Sequence, residues 1–439
     1  MTGLQIGLAG LGALLVLLAF RIPIGVAMLA VGMVGYASIA GVAALFSHLK
    51  TETYWRFSNF DLSVIPLFML MGQFAAQAGL SKSLFRAANA WLGHFRGGIA
   101  MAALGACAGF GTISGSSIAT AATMGKVALP ELRRYNYSGA LATGALAAGG
   151  TLGILIPPSI VLIIYAIMVQ GSVVTLFQAA FIPGILAALG YIATVAIIVR
   201  LQPRAGPAGP RASNDERWQA LLEIWPVLLI FLVVMGGIYA GFFTPTEGAG
   251  VGAAGTFLVA VAQGGMRWAG FVDALLETAH TTALIYLILL GAAVFNAFLG
   301  FSQLPIAAAE WFRESGLPPL GVLLAMLALY VLLGCVMDSL SMILLTVPIF
   351  WPIIAGLDFA VQGEDLKLWF GILALIVVEV GLITPPVGLN VFVIHSLAKD
   401  VPMLETFKGV LPFLASDAVR IALIIAFPAI ALVLPRLLA

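Results

Sequence analysis

Apolar residues run through this chain in blocks long enough to fill a bilayer, and the polar residues between them punctuate rather than alternate. From Tyr135 to Val199 there is no Asp, Glu, Lys or Arg over 65 residues, room for two spans of about 20 residues and a turn. The pattern predicts membrane helices at 3–20, 23–46, 62–79, 139–169, 176–199, 221–243, 248–265, 280–301, 369–397 and 404–434. These blocks imply an all-α polytopic membrane protein.

Two of the blocks carry a defect that an ordinary span does not. "GILIPPSIVL" (153–162) and "GLITPPVGLN" (381–390) each set two prolines inside an apolar run. The prolines remove backbone donors and push the preceding residue out of helical geometry, so both blocks read as broken helices. Two further apolar segments, 97–125 and 315–357, are interrupted by "GTISGSS" (111–117) and "MDSLS" (337–341). They read as re-entrant hairpins, whose non-helical tips are tolerated at membrane depth only against protein or water. An ordinary kinked helix is the alternative.

The one plainly soluble stretch, "RLQPRAGPAGPRASNDERWQ" (200–219), divides the chain in two. On the predicted spans, fourteen of the twenty Lys and Arg residues fall on one side, which the positive-inside rule makes cytoplasmic. The halves then enter the membrane in opposite senses, as inverted repeats. The Pro pairs are offset by 228 positions, Trp91 and Trp311 by 220, and Ser117 and Ser341 by 224. The predicted organisation is N-terminal scaffold helices (1–60), a first repeat (61–199), a cytoplasmic linker (200–220), further scaffold helices (221–268) and a second repeat (269–439). The first repeat holds a hairpin at about 97–130 and a broken helix at 139–169, the second a hairpin at 315–357 and a broken helix at 369–397.

Composition sharpens this picture. Only 9% of the 439 residues are charged and 62% are hydrophobic, with mean hydropathy +1.11; soluble domains carry roughly 25% charged residues. A net charge of +1 gives no reason to expect nucleic acid as a partner. Cys107 and Cys335 both lie in apolar segments, which argues against a disulfide framework. The opening twenty residues lack the basic start of a signal peptide and read as the first span.

Inverted repeats with helices broken at corresponding places point to a secondary transporter whose site lies near the midplane. The side chains at the discontinuities are hard oxygen donors. Ser114, Ser116 and Ser117 flank Gly115 at the first tip, and Thr151 and Ser159 flank Pro157 and Pro158 at the first break. Asp338, Ser339 and Ser341 mark the second tip, and Thr384, Gly388 and Asn390 surround Pro385 and Pro386 at the second break. With no His or Cys cluster beside them, these oxygens suit sodium better than a transition metal, so sodium is expected at the same tips and breaks. The alternative for any single Ser or Thr is a bond to its own i−4 carbonyl.

Asp338 and Glu379 are ionisable residues in apolar segments, where a functional role is the default expectation. Asp338 has the position to bind a cation or exchange a proton; for Glu379 function and structural pairing stand equal. Glu247 reads as a helix end, and Asp417 with Arg420 as an i, i+3 pair. His48, His94, His280 and His395 share no metal-ligand spacing. "LSKSLFRAANAWLGHF" (80–95) and "SQLPIAAAEWFRESG" (302–316) read as interfacial helices.

Four segments in order, "GFGTISGSSIATAATMGKVALPELRRYNYS" (109–138), "GILIPPSIVLIIYAI" (153–167), "GCVMDSLSMILLTVPIFWPII" (334–354) and "EVGLITPPVGLNVFVIHSLAKDVP" (379–402), resemble the large membrane subunit of the tripartite ATP-independent periplasmic (TRAP) transporters. The resemblance implies a bacterial inner-membrane secondary transporter working by an elevator mechanism. It implies sodium and an organic acid, a dicarboxylate or a sugar acid, bound between the two hairpins and two broken helices. It also implies two partners, a small four-helix membrane subunit and a periplasmic substrate-binding protein. The chain starts directly on its first span, so the small subunit is expected as a separate polypeptide. Many relatives carry Asp shortly after the first tip serines where this chain has Thr120.

A stand-alone divalent-anion/sodium symporter of related architecture is the competing reading. An intramembrane serine protease built on "SGSSIA" (114–119) would need a His within reach of the serine, and none lies in that hairpin. No Arg lies at a tip or break, and Lys126 and Arg133 read as cytoplasmic helix ends.

Overall fold

A computed structural model of the chain describes residues 2–263 and 265–438. Among these residues every regular element is helical. Five helices are long and apolar enough to cross a membrane, and two bent pairs raise that number to seven. Large apolar side chains such as Leu8, Val34, Leu232 and Leu332 stand exposed on the outside, as lipid contact requires and water does not favour.

One group of helices packs as a close-fitting frame. It contains α1 (Gly3–Ala19), α2 (Ile24–Ala40), α3 (Val42–Ser58), α4 (Val64–Gln77), α11 (Asn214–Glu223), α12 (Trp225–Tyr239), α13 (Pro245–Ala262) and α14 (Trp268–Ser302). The small residues of α2 let its backbone touch α14: a Cβ on Gly32 would stand 2.7 Å from Phe295 N, and one on Gly291 2.3 Å from the Gly25 carbonyl. Small residues at such crossings are what replaces hydrophobic association where lipid surrounds the helices.

Three sequence expectations change in this frame. The block at 23–46 is not one span, because Gly41 at φ +89 ends α2 and starts α3, which runs on past Lys50, Glu52 and Arg56. The block at 280–301 is the second part of a 35-residue helix, whose first turns were hidden by Asp273, Glu277 and His280. The linker is shorter than expected, since α11 begins at Asn214 on a Ser213–Glu216 capping box and then bends by 41° into α12. The soluble-looking charges of that box belong to a helix.

The remaining helices carry the discontinuities. α5 (Leu80–Leu92), α6 (Gly98–Ser114), α7 (Ser117–Arg134), α8 (Gly139–Leu155), α9 (Ile160–Met168) and α10 (Val173–Leu201) come from the first half. α15 (Leu304–Glu314), α16 (Pro319–Gly334), α17 (Ser339–Ala355), α18 (Gly363–Ile383), α19 (Leu389–Leu397), α20 (Met403–Ala426) and α21 (Ala429–Leu438) come from the second. The expected last span at 404–434 is thus broken before Pro428.

α6 and α7 form a hairpin rather than a kinked span. The chain entering α6 and the chain leaving α7 bind the same loop, with Gly97 N donating to the Gly206 carbonyl and Ser138 N to the Ala205 carbonyl, each at 2.9 Å. α16 and α17 likewise fold back on one another, with Tyr330 edge-on to Phe350 at 5.1 Å. α8 and α9 meet at 46° across the first Pro pair, and α18 and α19 are separated by the second. Both Pro-Pro bonds are cis.

The broken helices run in opposite directions. At one end Arg133, closing α7, pairs with Asp400 after α19. At the other, Tyr165 of α9 donates to the Lys367 carbonyl at the start of α18, at 2.8 Å. Each hairpin is locked to its own half's broken helix by a glycine crossing. A Cβ on Gly111 would stand 2.6 Å from Gly153 Cα, and one on Gly381 2.6 Å from Gly334 Cα. Gly153 precedes Pro157 by four residues and Gly381 precedes Pro385 by four, so the two crossings repeat at the same place in both halves.

Candidate functional site

Both hairpin tips are built as helix starts. α7 opens on the cap Ser116, whose hydroxyl accepts from Ala119 N at 3.4 Å, and α17 opens on Asp338, which accepts from Ser341 N at 3.2 Å. Caps of this kind satisfy orphan N–H groups and leave the positive end of each helix at the tip. The first helical residues are Ser117 and Ser339, and both donate to one carboxylate. Ser117 Oγ donates to Glu379 Oε2 and Ser339 Oγ to Glu379 Oε1, the latter at 2.7 Å. Glu379 lies on α18 and is 0% exposed. One acid on the second broken helix therefore joins the tips of both hairpins.

This geometry corrects the sequence register, in which Ser117 was paired with Ser341. Its structural counterpart is Ser339, while the Ser341 hydroxyl turns back onto Asp338 Oδ1. The slip is two residues, small enough that offsets alone do not reveal it. Asp338 has both carboxylate oxygens engaged by Ser341, one through its N–H and one through its hydroxyl.

Asn390, on the first turn of α19, reaches across to the other half. Its Nδ2 donates to the Ala147 carbonyl of α8 at 3.4 Å, and its buried Oδ1 has no donor. A Cβ on Gly150 would stand 2.9 Å from Asn390 Nδ2 and 3.1 Å from the Ser117 carbonyl. The missing side chain leaves the amide and the Ser117 carbonyl facing the same small space. A buried acceptor without a donor costs about 1–3 kcal/mol, and a hard cation is the kind of group that would satisfy it.

The other break hydroxyls face elsewhere. Thr151 Oγ1 donates to the Ala148 carbonyl at 2.7 Å and pairs with Tyr191 OH at 3.1 Å. Tyr191 in turn donates to Asp417 Oδ2 at 2.8 Å, and Asp417 accepts from Arg420 at 2.7 Å. Thr151 thus ends a buried polar chain to α20 and does not face the tips. The Thr384 hydroxyl goes to the Val380 carbonyl at 2.6 Å, the i−4 bond of an ordinary helical threonine. Ser159 caps α9 by accepting from Leu162 N at 3.4 Å. Ser114 Oγ and Thr120 Oγ1 pair at 2.6 Å, so Thr120 is hydrogen-bonded inside the first tip.

Gly115 and Gly388 adopt the left-handed conformation, at φ +58 each, which favours glycine. Gly115 turns the first hairpin against the first break, where its Cβ would stand 3.2 Å from the Pro158 carbonyl. Gly388 N donates to the Cys335 carbonyl at 3.3 Å, tying the second break to the second tip. The two breaks differ in surroundings: Pro157 and Pro158 are buried, Pro385 and Pro386 exposed.

A cavity of about 700 Å³ lies between both tips and the frame. Ser114, Gly115, Ser116, Ser117, Asp338 and Ser339 line it from the tips, with Gln73 of α4, Glu277 and Thr281 of α14, and Thr123 and Lys126 of α7. Lys126 is therefore a cavity residue eight positions inside α7, not a helix end. Neither Lys126 nor Glu277 carried a sequence signal, since the side of the helix each charge faces is set only by packing. No group of three metal-binding side chains occurs among the described residues.

A helical bundle in which two opposed hairpins and two broken helices meet around one buried acid is the architecture of a membrane transporter. The family model for the tripartite ATP-independent periplasmic transporter, DctM component, matches residues 11–430, and the chain belongs to that family. It is 38% identical over 391 residues to the C4-dicarboxylate TRAP transporter large permease protein DctM of Pseudomonas aeruginosa, covering 88% of this chain and 89% of that protein. It is 32% identical to the sialic acid TRAP transporter large permease protein SiaM of Vibrio cholerae, covering 93% and 96%. The isethionate TRAP transporter permease protein DctMQ of Oleidesulfovibrio alaskensis is 29% identical, and 61% of its length is matched. In fold the chain is similar to the YdaH transporter of Alcanivorax borkumensis, with TM-score 0.63 at 16% identity over 89% of this chain and 90% of that one.

Proposed function

We propose that this chain is the large permease of a TRAP system that couples sodium entry to uptake of an organic acid of the C4-dicarboxylate or sugar-acid type. A periplasmic binding protein delivers the acid, and a small four-helix membrane subunit completes the permease in the bacterial inner membrane. The observation that supports the ion reading is the buried, donorless Oδ1 of Asn390, on an amide whose Nδ2 borders the same space at Gly150 as the Ser117 carbonyl. Membership of the DctM family and the 38% identity to a C4-dicarboxylate permease support the substrate class.

An elevator cycle fits the packing. The glycine crossings bind each hairpin to its own broken helix, and Glu379 binds the two halves together, so these elements can travel as one body. The cavity against α4 and α14 is where that body meets the frame.

Proteoliposomes holding the chain and its small subunit test the reading. Uptake of a C4-dicarboxylate is expected only with the cognate binding protein added and a sodium gradient imposed. Ser117→Ala, Asp338→Asn and Asn390→Ala should raise the sodium concentration for half-maximal uptake. Sodium dependence unchanged in all three would remove the ion site, and robust uptake without any binding protein would favour the stand-alone symporter.

A further inference from the structure

Lys126 is the one Lys or Arg among the residues lining the cavity that both tips share. It makes no ion pair among the described residues, whereas Arg133 pairs with Asp400 and Arg86 with Glu223. The face of α7 that lines the cavity runs Ser116, Ala119, Thr123, Lys126, a spacing that keeps all four on one side of a helix. Ser116 and Lys126 are ten residues apart, a rise of about 15 Å, and the lysine stem leans back toward the tip because helical Cα–Cβ bonds tilt to the N-terminus. The ammonium and the tip donors are therefore separated by the length of a small molecule, not by one hydrogen bond.

We infer that Lys126 is a carboxylate subsite, distinct from the tip and break oxygens, that holds the distal acid group of a dianionic substrate. A carboxylate at the tips would lie at the starts of α7 and α17, where helix dipoles favour negative charge. One carboxylate cannot reach both places, whereas a dicarboxylate can. Glu277 on α14 and Asp338 at the second tip are the other charged groups lining the cavity. Both are acidic, so among the described residues Lys126 supplies the only full positive side-chain charge lining that cavity. Because Lys126 rides on a hairpin and Glu277 on the frame, the lysine would travel with its substrate and leave the acid behind. The subsite rests on the permease reading above.

The experiment uses the purified permease, the chain with its small subunit, and the acid that the wild type transports from a panel of succinate, malate and sialic acid. Acid binding is followed by melting-temperature titration at fixed sodium. For a dicarboxylate, Lys126→Gln should weaken binding by tenfold or more, about 1.4 kcal/mol, while Lys126→Arg stays within about threefold because it keeps the charge. The sodium-only melting shift should be the same in all three, and matching ligand-free melting temperatures exclude a folding defect. Equal affinity of Lys126→Gln and wild type for a transported dicarboxylate would overturn the subsite, as would a loss of the sodium shift in parallel. A wild type that moves none of the acids with its binding protein present would instead overturn the permease reading.

Discussion

Ser117 at the tip of the first hairpin donates its hydroxyl to Glu379 on the second broken helix, a contact between residues 262 positions apart. With Ser339 on its other oxygen, the carboxylate accepts from both tips at once. Glu379→Leu strands two buried hydroxyls, at about 1–3 kcal/mol each, and should lower the melting temperature and abolish uptake. Glu379→Gln keeps a hydrogen-bonding head between rotatable hydroxyls and should fold with a smaller loss, yet transport poorly. Equal melting temperatures for Glu379→Leu and wild type would show that the bridge does not hold the tips.

The glycine crossings make a sharper steric prediction. A methyl on Gly111 or Gly381 meets opposing backbone at 2.6 Å, which cannot yield as a side chain can. Gly111→Ala and Gly381→Ala should cost about 1–3 kcal/mol or more as overpacking. Gly250→Ala, with nothing within 4 Å of its Cβ, should be neutral or slightly stabilising. Melting temperatures of the three purified variants decide this, and a tolerated Gly381→Ala would contradict the crossing.

The buried pair on α20 predicts non-additivity. Asp417 and Arg420 are 1% and 4% exposed, and Tyr191 OH also donates to the acid. Removing one partner of a buried ion pair costs about 3–5 kcal/mol because the other charge is left uncompensated. Asp417→Leu should therefore be worse than Asp417→Leu with Arg420→Met, as a double-mutant cycle on melting free energies would read.

The opposed hairpins fix sidedness. Asn214 and Gln362 are both exposed, and the native Cys107 and Cys335 are buried. A cysteine at Asn214 should resist impermeant thiol reagents in intact cells, while one at Gln362 should react. Labelling of both from outside would break the inverted arrangement.

Much of this architecture is legible in the residues. Two prolines in an apolar run leave the backbone little choice but to break, and Gly-Ser clusters inside apolar blocks mark the tips. The misses share a cause. α3 and the first turns of α14 carry charges that look like loop but lie on helices at the edge of the apolar frame. Thr151 and Thr384 flank the breaks in sequence, yet their hydroxyls bond away from the tips, because facing depends on rotation about the helix axis. Glu379 read as function or pairing in equal measure, and only the meeting of Ser117 with Ser339 shows what it pairs with.

Glu379 has no mirror image. The register that superposes the Pro pairs sets it against Thr151, 228 positions earlier, and Thr151 bonds to Tyr191 instead. Two identical chains around a two-fold axis would put two acids at such a centre or none, and two unneutralised carboxylates there would repel. A single acid shared by equivalent serines is an arrangement open only to halves joined in one polypeptide. Fusion thus permits a lopsided centre in a paired architecture, and the two halves that meet there are freed from being energetic reflections of one another.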